Sequence, residues 1–339
     1  MWIKFRYNKG MLKIFVTRDI PDAGIKMLQE KGYEIKIWSK SEHISEKELI
    51  AELKNGYDAL LCLLTDKING KIMDAGVPRL KVISNYAVGF DNIDVEAGKQ
   101  RNILITNTPG PEISEAVAEH TFALMLTLAR RIAEADKFAK AEKYKGWEPK
   151  LFLGTDVYNK TLGIVGLGRI GAAVAQRAAN GFGMKIIYHD VQRNEEFEKK
   201  YNAIYKKTLD ELLKEADFVS LHVPLLPTTH HLISNQQLSL MKPSAFLINT
   251  ARGPVVDELA LLKALKEKKI AGAALDVFEC EPLIDCVLTD NLELRKMNNV
   301  VLTPHTASAT VEARQAMSRT AALNIIAAFE GQTPPNLVK

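Results

Sequence analysis

Short apolar runs alternate with amphipathic stretches along most of the chain. Leu12–Thr17, Glu34–Trp38, Ala59–Leu64, Lys81–Asn85 and Ile103–Asn107 are short and rich in branched residues, the pattern of strands. Between them, Ala23–Lys31 and Glu46–Lys54 space their apolar positions as helices do. Strand–helix alternation predicts a parallel sheet covered on both faces, so this first stretch reads as one doubly wound domain.

Thr108-Pro109-Gly110-Pro111 interrupts the series, because Pro and Gly together break regular structure. A long helical segment follows, from about Ser114 to Lys140. Its stretch His120–Ala129 is apolar almost all round, which places it between domains, between subunits or in one domain's core. A second alternating series has strands at Thr161–Val165, Lys185–His189, Phe218–Val223, Ala245–Asn249, Ala271–Asp276 and Asn299–Thr303. The closing helix, Thr310–Glu330, lies past that second sheet. If it folds back onto the first domain, that domain is discontinuous.

The 339 residues suffice for two domains, each with its own core. Hydrophobic residues make up 47% and charged residues 25%, ordinary globular usage. A net charge of +4 without a basic tract argues against nucleic-acid binding, though it suits drawing small anions into a cleft. The cysteines are Cys62, Cys280 and Cys286; their spacing resembles no metal site, and so low a count fits a reducing cytosol. Met1–Gly10 has no apolar core of a signal peptide and reads as an extension outside the fold. No apolar run reaches membrane-spanning length.

Gly166-Leu167-Gly168-Arg169-Ile170-Gly171 is a G-x-G-x-x-G. The pattern alone is weak, but here it follows an apolar strand and opens the helix Arg169–Ala179. Gly166 permits the tight turn, Gly168 lets a pyrophosphate approach the backbone, and Gly171 lets helix and strand pack closely. The helix N-terminus then offers N–H groups to the phosphates. Asp190 ends the next strand, 19 residues after Gly171, where an acid binds the adenosine ribose hydroxyls. Its charge repels a 2′-phosphate, which favours NAD over NADP. Arg193 nearby is a cation that could accept that phosphate.

Three further residues fall where strands of the second sheet should end. Arg252 follows the Phe246–Ala251 run, Glu281 lies past Ala271–Asp276 and before Pro282, and His305 follows Thr303-Pro304. Ligands of open α/β sheets bind outside the carboxyl ends of the strands. Reduction of a 2-oxo acid needs a cation for the carboxylate, a hydride donor and a proton donor. Arg supplies a bidentate fork, His a proton near neutral pH, and a carboxylate beside the His orients it and favours the imidazolium. Taken singly, Arg252 could pair with a surface acid, Glu281 could be a solvated loop acid, and His305 could be a satisfied loop histidine.

In these motifs the sequence resembles the D-isomer-specific 2-hydroxyacid dehydrogenase family. Gly166–Gly171, Asn249-Thr250-Ala251-Arg252-Gly253, Asp276–Pro282 and Thr303-Pro304-His305 carry the likeness in the family's order. Asn85–Asn92 and His222-Val223-Pro224-Leu225 add to it. The resemblance implies an α/β fold of two doubly wound parallel-sheet domains, a Rossmann nucleotide-binding domain inserted into a flavodoxin-like substrate domain. Residues 11–108 and 305–339 would form the substrate domain and 109–304 the NAD-binding domain, with 1–10 outside. A cleft closing by hinge motion and a homodimer built through the nucleotide domain are implied too, while the low cysteine count already points to a cytoplasmic location.

The resemblance makes Arg252 the substrate anchor, His305 the general acid/base and Glu281 its partner. Leu64 and the backbone N–H groups of Val88 and Gly89 would also meet the substrate. Val88, Thr250, Ala251, Arg252 and Asp276 would line the nicotinamide half of the cofactor, and Val223 and Pro224 its adenosine side. No metal is implied. Within the family, Leu60–Thr65 and Phe152–Tyr158 look most like glyoxylate/hydroxypyruvate reductases. Asp190 departs from NADP-using members, which carry small or basic residues there. Alternative readings are a D-lactate or phosphoglycerate-type dehydrogenase, and an NAD-sensing corepressor-like scaffold of the same fold.

Overall fold

The structure, a computed structural model, describes residues 11–40, 42–281 and 293–339. The expected extension Met1–Gly10, and Pro282 and Cys286, lie outside the described residues. The chain divides into two compact units. One comprises the described residues up to Ile113 together with Ala309–Lys339; the other is Ser114–Ser308.

The first unit holds a parallel sheet of β1 (Lys13–Val16), β2 (Glu34–Ile37), β3 (Ala59–Leu63), β4 (Val82–Tyr86) and β5 (Leu104–Thr106). Their spatial order, β2-β1-β3-β4-β5, is that of a flavodoxin-like sheet. Ile14, Phe15 and Val16 of β1 are all buried, as a strand covered on both faces requires. Edge strand β2 instead exposes Glu34 and Lys36 and turns Ile35 and Ile37 inward. On one face Phe15, Leu60 and Ile83 pack against Leu49, Leu53, Ile72 and Met73.

The closing helix, Val311–Phe329, belongs to this unit. Tyr86 Oη donates to the carbonyl of Arg314 at 2.7 Å, and Ser84 Oγ to that of Ala321 at 3.2 Å, fastening the helix to β4. A Cβ on Gly24 would lie 2.0 Å from the Ser318 carbonyl oxygen, so only glycine lets helix Asp22–Glu30 approach so closely.

The second unit holds β6 (Thr161–Val165), β7 (Lys185–His189), β8 (Ile204–Tyr205), β9 (Phe218–Leu221), β10 (Phe246–Asn249), β11 (Gly272–Leu275) and β12 (Val300–Leu302). All pairings are parallel, in the order β12-β11-β10-β9-β6-β7-β8. That is a Rossmann sheet, its strand order reversing between β6 and β9. Leu221, Leu247 and Leu275 face one apolar layer, while Ile164, Ile248 and Ala274 face the other.

Two elements differ from the sequence pattern. The single helix expected over Ser114–Lys140 is two, Pro111–Ala129 and Ile132–Lys140. Arg131 between them takes φ +55, and the Ala129 carbonyl, which would continue the helix, instead accepts from Thr155 N at 2.8 Å. Strand β8, two residues long, is too short to leave a periodicity. Among the described residues no helix is long and apolar enough to cross a membrane. Cys62 is free and buried.

Candidate active site

The glycine turn leaves β6 at Val165. Gly166 has φ +92, and a Cβ there would come within 2.8 Å of the His222 carbonyl oxygen. A Cβ on Gly171 would lie 2.1 Å from the Gly166 carbonyl oxygen, but one on Gly168 would meet nothing within 4 Å. Two glycines are therefore demanded by packing, and the third leaves open space over the loop. Helix Arg169–Phe182 begins at Gly168 without a side-chain cap, so its first N–H groups remain for an anion. These features fit the pyrophosphate of a dinucleotide.

Asp190 sits at the end of β7. Its Oδ2 accepts from Leu167 N at 2.6 Å and its Oδ1 from Gln192 N at 3.1 Å, so the acid is tied directly to the glycine turn. Arg193 is engaged elsewhere: its Nε and Nη2 donate to the two carboxylate oxygens of Glu198 at 2.9 and 2.7 Å. Val223 follows β9 and borders the glycine turn, its Cγ1 3.0 Å from where a Gly166 Cβ would stand. Pro224 beside it is exposed.

Arg252 lies three residues past β10. The buried Asn249 shapes its turn, donating to the Arg252 carbonyl at 2.9 Å and accepting from Ala251 N at 3.0 Å. The Arg252 guanidinium donates to the Ala251 carbonyl at 2.8 Å. Thr250 shares a hydroxyl hydrogen bond of 3.1 Å with Thr121.

Glu281 and His305 meet. His305 Nδ1 lies 2.5 Å from Glu281 Oε1, with the two side chains 22% and 23% exposed. Spending Nδ1 on the carboxylate leaves Nε2 to exchange a proton with a ligand. His305 also has φ +52, a conformation uncommon for a non-glycine residue. Its N–H donates to the Asp276 carbonyl at 2.8 Å, and the Asp276 carboxylate fastens the residues around it. Oδ1 accepts from Thr303 Oγ1 at 2.6 Å and Thr306 N at 2.8 Å, and Oδ2 from Ala307 N at 2.8 Å. Burial acts to raise the Asp276 carboxyl, but the donors His120, Thr303, Thr306 and Ala307 outweigh it and hold it below the usual carboxylate range.

Leu64, Val88 and Gly89 belong to the first unit. Val88 is 38% exposed. Its carbonyl accepts from Asn107 Nδ2 at 2.6 Å, and the Gly89 carbonyl from Asn85 Nδ2 at 2.9 Å. Asn92 Nδ2 holds the carbonyls of Leu63 and Asp66, each at 3.0 Å, on either side of Leu64. These asparagines shape the loops from beneath.

The sequence pattern did not single out His120, whose Nε2 lies 3.0 Å from Thr303 Oγ1 and 3.4 Å from Asp276 Oδ1. A polar residue opening an otherwise apolar helix face was its only signal. The pairing of His231 with Glu279, 2.6 Å apart, was equally invisible, since the two are distant in sequence.

The family model described as D-isomer specific 2-hydroxyacid dehydrogenase, NAD binding domain, matches residues 122–307. A glyoxylate reductase from Thermococcus litoralis is 51% identical over 330 residues, 96% of each chain. The chain belongs to the D-isomer-specific 2-hydroxyacid dehydrogenases. The dehydrogenase is thus an oxidoreductase that moves a hydride between a nicotinamide cofactor and a small 2-oxo or 2-hydroxy acid. Solved structures of similar fold include a D-lactate dehydrogenase from Aquifex aeolicus complexed with NAD and lactic acid. Its TM-score is 0.83 at 34% identity, covering 96% of this chain and 98% of that one. An NADPH-dependent glyoxylate/hydroxypyruvate reductase from Sinorhizobium meliloti, in complex with NADP and malonate, has a TM-score of 0.84 at 31% identity, covering 97% of each.

Proposed function

We propose that the dehydrogenase reduces glyoxylate to glycolate with NADH, with hydroxypyruvate as a second substrate. The 51% identity across 96% of the chain to a glyoxylate reductase carries the choice of acid. The choice of cofactor rests on Asp190, which ends β7 beside the glycine turn, and on Arg193, whose fork is already taken by Glu198. A carboxylate there repels a 2′-phosphate, and the Arg193 fork is engaged by Glu198.

The proposed roles follow from what each group can do. Gly166, Leu167, Gly168, Arg169, Ile170 and Gly171 hold the pyrophosphate, Asp190 the ribose, and Val223 and Pro224 the adenosine side. Val88, Thr250, Ala251 and Asp276 border the nicotinamide. When bound, the reduced nicotinamide supplies the hydride. Arg252 holds the substrate carboxylate through its fork, aided by the N–H groups of Val88 and Gly89, and Leu64 contributes apolar contact. His305 Nε2 gives the proton to the carbonyl oxygen as it gains charge. Glu281 fixes the ring through Nδ1 and stabilises the protonated form. The His305–Glu281 contact of 2.5 Å is the observation that carries this scheme.

A homodimer in the cytoplasm, where NADH is found, completes the proposal. Tyr144, Trp147, Leu153 and Tyr158 are 57–82% exposed on the nucleotide-binding unit, apolar surface of the kind a second copy buries. Light scattering of the purified chain tests the dimer. The substrate is tested by kcat/KM for glyoxylate, hydroxypyruvate, pyruvate and longer 2-oxo acids, each with NADH and NADPH. Glyoxylate with NADH is expected to rank first; a preference for pyruvate or for NADPH overturns the respective half of the proposal.

A further inference from the structure

A second histidine–glutamate pair bridges the two loops that carry Arg252 and Glu281. One loop runs from Arg252 through the short turn Gly253–Val255; the other runs from Asp276 to Glu281. They touch at backbone level: a Cβ on Gly253 would fall 1.7 Å from the Phe278 carbonyl oxygen, so no other residue fits there. His231 spans them. Its N–H donates to the Pro254 carbonyl of the first loop at 2.8 Å, and its Nε2 lies 2.6 Å from Glu279 Oε1 of the second.

Glu279 is in turn locked to the helix that follows the first loop, Glu258–Lys266. Its Oε2 accepts from Glu258 N at 3.2 Å, while its own N–H donates to Oε1 of the buried Glu258 at 2.5 Å. Phe278, next to Glu279, directs its N–H toward Glu281 Oε2 at 3.5 Å, and the other oxygen of Glu281 meets His305. His231 holds this span with φ +50, a conformation that its surroundings must impose.

We propose that His231 and Glu279 are positioning residues. They set the separation between the Arg252 loop and the Glu281–His305 pair, and so where a 2-oxo acid's carboxylate sits relative to its proton donor. They act through those three side chains and not on the substrate, so the inference rests on the roles proposed above for Arg252, Glu281 and His305. The two side chains are 34% and 30% exposed, and unfolding temperature and NADH affinity are the readouts that separate this role from a merely structural one.

The test uses the full-length protein with NADH and glyoxylate. His231→Ala is expected to raise KM for glyoxylate and lower kcat, with kcat/KM falling about 10–100-fold, because a small misplacement of reacting groups costs that much. The Kd for NADH, read by fluorescence, and the unfolding temperature should stay near wild type. His231→Gln keeps an N–H donor and should recover most of the loss. Glu279→Gln, which keeps shape but not charge, should show the same split to a smaller degree and decides the matter if His231→Ala does not fold. The proposal is overturned if both variants keep kcat/KM within twofold of wild type while Arg252→Lys and His305→Ala are severely impaired. It is overturned equally if the loss tracks NADH affinity or unfolding temperature and Gln does not restore it. Near-normal turnover of Arg252→Lys and His305→Ala would instead bring down the roles on which it rests.

Discussion

Glu281 Oε1 and His305 Nδ1 stand 2.5 Å apart, joining a loop after β11 to a loop after β12. The contact assigns each ring nitrogen a task, since the one held by the carboxylate cannot also serve the substrate. Replacing His305 by Ala removes the proton donor and leaves the glycine turn intact. We expect kcat for 2-oxo acid reduction to fall about 10²–10⁴-fold with NADH affinity unchanged. Near-normal turnover would remove His305 from the mechanism.

Glu281→Gln keeps a hydrogen-bonding oxygen beside Nδ1 and discards its charge. A charge-assisted hydrogen bond is worth about 1.5–3 kcal/mol, so kcat should drop roughly 10–100-fold. Binding of NADH, measured by fluorescence titration, should not change. Wild-type kcat in this variant would make Glu281 an ordinary loop acid.

Arg252→Lys tests the substrate anchor. Lysine keeps the charge but presents no planar fork. Steady-state kinetics should show a large rise in KM for the 2-oxo acid together with a fall in kcat. If lysine substitutes freely, another group holds the carboxylate.

Cofactor choice is tested at two residues. Asp190→Ser should weaken NADH and improve NADPH, moving the ratio of kcat/KM values by about one to three decades, because like charges at short range in a cleft cost that much. In that single variant Arg193 is still held by Glu198. Adding Glu198→Gln loosens that fork, and the gain for NADPH should grow and become sensitive to salt. A ratio that neither substitution moves would show that the ribose is bound elsewhere.

The Asp276 carboxyl is held below its ordinary value of 3.8: burial opposes ionisation, and the hydrogen bonds donated by His120, Thr303, Thr306 and Ala307 prevail. A carboxyl depressed in the folded state stabilises fully above its unfolded pKa and loses that contribution as pH falls through the folded one. Asp276→Asn should therefore unfold roughly 3–12 °C below wild type at pH 7, and the gap should close below about pH 4. An equal gap at pH 3 and pH 7 would mean the charge contributes nothing.

Much of this molecule was legible in one dimension. Strand composition and alternation predicted a doubly wound parallel sheet in the first stretch and a second alternating series after it, because a strand buried on both faces must be apolar throughout, as Ile14–Val16 is. The glycine turn and Asp190 were readable because their spacing is local, set by one strand, one turn and one helix. What tertiary structure decided are the contacts whose members lie far apart in the chain. Nothing in the sequence joins His231 to Glu279, His120 to Asp276, or Asp190 to the Leu167 amide. The break at Arg131 is of the same kind, since a carbonyl claimed by Thr155, not a local breaker, ends the helix. Periodicity records which face of an element is buried. Hydrogen-bond partners are chosen by which loops the sheet order brings side by side, and that order exists only once the chain has folded.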